Sequence, residues 1–119
     1  MNKREEGLKG EDAAVAALKG NGYRILERNY TSRFGEIDVI AEDGDFLVFV
    51  EVKKRNSESF GQSFSAITRR KRRHLVKSAL FYMKAHKCFD RRVRFDVVGI
   101  DQGTPKILKH AFLIDDDGR

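Results

Sequence analysis

The stretch GEIDVIAEDGDFLVFVEVKKR, residues 35–55, constrains the fold more than any other part of the chain. Apolar residues alternate with polar ones on both sides of Asp43-Gly44, and an Asp-Gly pair between such runs marks a hairpin. The expected strands cover 34–41 and 46–53. With Asp43-Gly44 as the loop, Glu42 pairs with Asp45, Asp38 with Phe49, and Glu36 with Glu51. Side chains alternate between faces, so Glu36 and Asp38 share a face with Phe49, Glu51 and Lys53. Asp38 and Glu51 then become diagonal neighbours, roughly 7–8 Å apart at Cα.

Like charges so placed repel one another and disfavour folding unless something positive lies between them. A divalent cation serves, and oxygen-only ligands select a hard ion such as Mg²⁺ or Mn²⁺. Lys53, two residues after Glu51, points the same way and brings an ammonium alongside. Two carboxylates, one lysine and a metal suit phosphodiester hydrolysis: the metal polarises the phosphate and acidifies a water. The lysine stabilises developing charge or orients that water. An isolated E-x-K on a strand more often guards a sheet edge against aggregation. The full set on facing strands favours a site.

The first helix holds a second anomaly. Leu8, Val15 and Leu18 recur at helical spacing, with Gly20-Asn21-Gly22 as the stop. Glu11 falls on this apolar stripe, where a carboxylate is rare unless paired or metal-bound. Helical spacing alone leaves open whether Glu11 or its neighbour Asp12 turns inward.

Further strands are expected over 23–30, 93–100 and 107–114, and a long helix over 63–87 with Ser63 or Ser65 as N-cap. Residues 57–61 read as a loop. The order is α-β-β-β-α-β-β, an α/β chain with one mixed sheet flanked by helices. One domain over 1–119 is expected, with 115–119 as an acidic tail.

The long helix opens with TRRKRRH, residues 68–74. Five basic residues over two turns cover most of its circumference. Ile67, Leu75, Ser78 or Ala79, and Tyr82 mark the inner stripe, and Lys71 falls between Ile67 and Leu75. Lys71 is therefore expected to face the sheet and the acidic site, with Arg69, Arg70, Arg72 and Arg73 beside or outside it. Contact with phosphates is the functional reading; a solvated basic face is the commoner fate of a charge run. Lys54 and Arg55 extend the positive surface past the hairpin. Arg91, Arg92 and Arg94 suggest another basic patch, and Asp96 reads as an ordinary surface residue in preference to an acid supporting the site.

Twenty-four Lys and Arg against eighteen Asp and Glu leave a net charge of +6 and a pI near 9.6. That balance favours a polyanionic partner, nucleic acid above all. The lone Cys88 excludes an internal disulfide and fits a reducing compartment. No secretory leader or membrane span is expected, which points to the cytoplasm. His74, His86 and His110 lack zinc-ligand spacing, and no Walker A or dinucleotide glycine motif occurs.

The segments GLKGEDAAVAALKGNGYRILERNY, GEIDVIA, LVFVEVKKR and FGQSFSAITRRKRRHLVKSALFYM closely resemble the YraN family of small bacterial proteins. The resemblance runs from Gly7 to about Phe112. Members of that family look like archaeal Holliday-junction resolvases and belong to the restriction-endonuclease-like PD-(D/E)xK superfamily. The resemblance implies a restriction-endonuclease-like fold with metal at one end of the sheet. By that analogy Asp38 matches the acidic metal ligand, Glu51 and Lys53 the ExK pair, and Glu11 the first-helix glutamate of resolvase-type members. Glu36 also matches the family motif, without an assigned role.

The expected function is a Mg²⁺-dependent endonuclease acting on DNA, branched or junction DNA included. A symmetric homodimer is expected if cuts come in pairs, as in resolvases. The alternative is a nucleic-acid-binding module that keeps the nuclease fold without useful catalysis.

Overall fold

A computed structural model describes residues 3–55 and 68–112 of the chain. Ser63, Ser65, Ile67, Ile114, the 57–61 loop and the acidic tail lie outside the described residues, as do the side chains of Leu8 and Arg55. Helix α1 (Lys3–Gly20) leads into strands β1 (Arg24–Ser32), β2 (Gly35–Asp43) and β3 (Phe46–Arg55). Helix α2 (Arg69–Ala85) crosses to β4 (Arg92–Asp101), and β5 (Thr104–Phe112) completes the sheet. The strands lie in the order β1-β2-β3-β4-β5. Among the described strands only β3 and β4 run parallel, joined by the crossover that carries α2.

Central position explains composition. Strand β3, FLVFV over its first half, is apolar on successive residues because helices cover both faces of the sheet there. The edge strands β1 and β5 instead alternate between half-buried and exposed positions. On one face Ala14, Val15 and Leu18 of α1 pack with Val39, Val48, Val50, Val98 and Ile100. On the other, Leu75, Ala79, Tyr82 and Met83 of α2 pack with Ile37, Ile40, Leu47, Phe49, Phe95 and Val97. Each large side chain removed from water this way contributes ~1.5–3 kcal/mol.

Two sequence expectations shift. The β2–β3 loop is Gly44-Asp45, and Asp43 pairs with Phe46. Gly44 takes the first loop position with φ +61°, a conformation that costs aspartate more than glycine and that follows the Gly-first pattern of a type II′ turn. Helix α2 opens at Arg69 instead of residue 63. Its N-cap is Thr68, whose hydroxyl accepts the Lys71 N–H at 3.1 Å. Among the described residues, no helix is long and apolar enough to cross a membrane.

Candidate metal centre

The altered turn shifts the register of the acidic pair by two residues. The β2–β3 ladder ends at Val39 opposite Val50. Continued one step further, that register would set Asp38 opposite Glu51 instead of diagonal to it. Alternation also breaks here: Ile37 packs towards α2 and Val39 towards α1. In place of a backbone carbonyl, the Asp38 carboxylate accepts the Val52 N–H at 2.7 Å. The side chain thus caps the ladder where the two strands part, which fixes its orientation at the sheet's end.

Electrostatics single out the same residue. Burial first, then the charge of Glu51, push the Asp38 carboxyl up to about 7. The Val52 N–H opposes this by favouring the anion, while the charges of Glu11 and Glu36 add to the rise. Four carboxylates from α1, β2 and β3 therefore act on one small region.

Glu11, and not Asp12, turns inward. Asp12 is exposed and accepts from the Arg28 guanidinium at 2.8 Å. Glu11 is half-buried, and its Oε1 is fully covered without a hydrogen-bond partner among the described residues. Such an oxygen costs ~1–3 kcal/mol unless a cation or donor meets it. At Gly10 α1 lies against the sheet, where a Cβ would make ordinary contacts of 3.6 Å with Lys54 Cδ and 3.8 Å with Ile100 Cδ1. Glu36 is exposed at the start of β2, and Lys53 is half-buried two residues beyond Glu51 on β3.

Glu51 is only 5% exposed. Its Oε2 receives the Lys71 ammonium at 2.6 Å, so Lys71 lies on the sheet side of α2. An ammonium thus stands against a carboxylate that a metal would also seek. Among the described residues, no three acidic, imidazole or thiol side chains are gathered tightly enough to cage an ion as they stand. The donor set nonetheless fits a hard divalent cation. It is all oxygen, carries excess negative charge around Asp38, and includes the orphaned Glu11 oxygen. A cation held by Glu51 Oε2 would displace Lys71.

The remaining basic positions divide. Arg69, Arg70 and Arg73 are exposed on the first turns of α2, and Lys54 is exposed near the end of β3. Arg72 lies over the Phe112 ring at 5.9 Å. The expected patch of Arg91, Arg92 and Arg94 does not form. Arg91 binds Glu42 at 2.9 Å, and Arg94 is buried, 5% exposed.

Arg94 belongs to a network that the sequence reading missed. Asp96, expected at the surface, is 1% exposed. It accepts from Arg94 Nε and the Arg94 Nη2 at 2.9 and 2.8 Å, from the Tyr23 hydroxyl at 2.6 Å and from the His110 N–H at 3.1 Å. Arg94 also reaches Asp43 at 2.7 Å. Burial, reinforced by the bond to Asp96, pushes the Tyr23 phenol well above its usual range. Every member has partners, so this network ties α1's exit, the β2–β3 turn, β4 and β5 together. The available signal was Arg94 and Asp96 two apart on one strand, hence on one face.

Known proteins match this chain along most of its length. The model of the Uncharacterised protein family UPF0102 matches residues 10–100. A UPF0102 protein of Caldicellulosiruptor saccharolyticus is 48% identical over 118 residues, covering 94% of this chain and all of that protein. One from Persephonella marina is 44% identical over 110 residues, covering 92% and 95%. One from Syntrophus aciditrophicus is 48% identical over 110 residues, covering 89% and 87%. With such matches across both helices and the whole acidic hairpin, the chain belongs to the UPF0102 family, which is the YraN family.

Proposed function

We propose that the chain is a Mg²⁺- or Mn²⁺-dependent endonuclease that hydrolyses phosphodiester bonds in DNA, branched or junction DNA included. The observation that carries this reading is Asp38. Its carboxylate is held on the Val52 N–H and pushed up to about 7 by burial and three neighbouring acids. That concentration of acid is costly to folding and is relieved by a cation.

Asp38, Glu51 and Glu11 would hold the ion. A divalent cation there supplies Lewis acidity towards a phosphate oxygen and makes an attacking water more acidic. The rest falls to the chain's own groups. Lys71, once displaced from Glu51, pairs with a phosphate. Lys53, on the Glu51 face of β3, offsets charge on the reacting phosphoryl group or orients the water. Arg69, Arg70 and Arg73, with Lys54 and Arg55, position the backbone of the strand. The net charge of +6 draws a polyanion from a distance. Paired cuts in a junction would call for a symmetric dimer.

Incubation of the purified protein with labelled four-way junction, flap, single-stranded and linear DNA, with and without Mg²⁺, tests this. Metal-dependent cutting lost in Asp38→Ala is expected. No cutting of any of the four by protein that binds the metal would remove the nuclease.

One observation favours a second reading, a nucleic-acid-binding module of the same fold: Glu51 is already neutralised by Lys71. In that case Asp38→Ala and Glu51→Ala leave the measurable activity, binding, intact. Replacing Arg70, Lys71 and Arg73 by Ala abolishes it.

A further inference from the structure

The outer face of α2 carries a feature that the acidic centre does not use. A groove of about 840 Å³ lies between the β1–β2 turn, the second half of α2 and the segment after it. It is lined by Phe34, Phe81 and Phe89 together with Arg33, Lys77 and Lys84. Phe81 is 40% and Phe89 59% exposed, unusual for residues that large. Phe34 and Phe81 meet edge to face at 6.2 Å, so the wall is built, not a chance scatter of rings. Among the described residues, no carboxylate lines the groove and none of the three cations has an anionic partner.

We infer that this groove binds unpaired nucleotides of a nucleic-acid strand, with bases on the phenylalanine rings and phosphates on Arg33, Lys77 and Lys84. Every base has a π-face, and stacking platforms flanked by cations are how proteins hold single strands without reading sequence. Charge decides against a second copy of the chain: a symmetric contact through this face would set three cations against the same three. Continuity with the acidic centre supports a strand as the occupant. Phe34, in the β1–β2 turn, precedes Asp38 by four residues, at most ~13 Å of chain. That is roughly four phosphate spacings of a stacked strand. The inference rests on the nuclease reading for its substrate: it names DNA with a single-stranded segment beside the scissile bond.

Binding of a fluorescent single-stranded oligonucleotide and of the matching duplex, in EDTA so that nothing is cut, provides the test. Wild type should prefer the single strand. Phe81→Ala and Phe89→Ala should each weaken single-strand binding at least fivefold, with melting temperature unchanged. Lys77→Ala and Lys84→Ala should weaken it and flatten its salt dependence. Binding within twofold of wild type in both phenylalanine variants overturns the groove as a nucleotide site. So does a dimer, or adsorption to anionic phospholipid vesicles, that Phe81→Ala abolishes while oligonucleotide affinity stays constant. These results are separate from the nuclease: oligonucleotide held here without any cutting in Mg²⁺ retains the groove and removes the enzyme. Cutting that survives with groove variants binding normally does the reverse.

Discussion

Lys71 Nζ rests 2.6 Å from Glu51 Oε2, so the basic helix α2 reaches directly into the acidic end of the sheet. The pair joins the two halves of the proposed site, where Lys71 and a cation would compete for Glu51. Glu51 is buried while Lys71 is half-exposed, so the lysine can leave and the carboxylate cannot. The contact therefore acts as a stand-in cation.

Removal of that stand-in should free the site for an ion. Lys71→Ala is expected to tighten Mn²⁺ binding about fivefold, the equivalent of ~1 kcal/mol for a partly exposed pair. Electron paramagnetic resonance of free Mn²⁺ during a titration reads this directly. The same variant should bind DNA less tightly. Weaker Mn²⁺ uptake would show that Lys71 organises the carboxylates and does not compete for them.

Asp38 makes the metal-free protein less stable as pH rises. Its carboxyl sits at about 7 in the folded chain, against about 3.9 in the unfolded one. The folded state therefore holds a proton that the unfolded state releases, and stability falls between roughly pH 4 and pH 7. Asp38→Asn keeps an acceptor for the Val52 N–H and removes the charge. At pH 8 without metal it should melt several degrees higher than wild type, at roughly 4 °C per kcal/mol. At pH 5 the difference should shrink. Mn²⁺ should raise the wild-type melting temperature at pH 8 and leave Asp38→Asn unmoved. A lower melting temperature for Asp38→Asn at pH 8 would mean that its charge is already compensated.

The buried network makes a stability prediction independent of function. Arg94→Met strands Asp96 in the interior and is expected to cost ~3–5 kcal/mol. Tyr23→Phe removes one donor to Asp96 and should cost ~1–2 kcal/mol. Urea denaturation measures both. A loss below about 1 kcal/mol for Arg94→Met would show that water or another cation replaces it.

Gly35 sets the corner from which β2 approaches the acidic centre. Its φ of +133° suits glycine, and a Cβ there would lie 3.9 Å from both His74 Cβ and Ser78 Oγ. The space is adequate but the backbone is not, so Gly35→Ala should cost ~1–3 kcal/mol through strain. A melting curve equal to wild type would show that the corner relaxes.

Local pattern carried much of this architecture. Alternation and the Asp-Gly signal located the hairpin, and spacing pointed Lys71 inward, while on α1 it could not choose between Glu11 and Asp12. The register escaped because either Asp43-Gly44 or Gly44-Asp45 closes a two-residue loop, and only the demand for positive φ at the first position decides. The two-residue shift follows from that choice, and the break in alternation between Ile37 and Val39 lay beyond any period-two pattern. Asp96 escaped because its burial depends on Tyr23 and Asp43, partners that no local window contains. The groove escaped because Leu80 and Phe81 adjoin Tyr82 and Met83 in one apolar run, where sequence cannot say which side lacks a cover.

The most direct measurement is an anomalous difference map from a crystal of the protein soaked in Mn²⁺. A peak bounded by Asp38 and Glu51 carboxylates, with Lys71 withdrawn from Glu51, is the predicted result. Lys71 still seated on Glu51, with no peak near Asp38 in a crystal saturated with the ion, would contradict it.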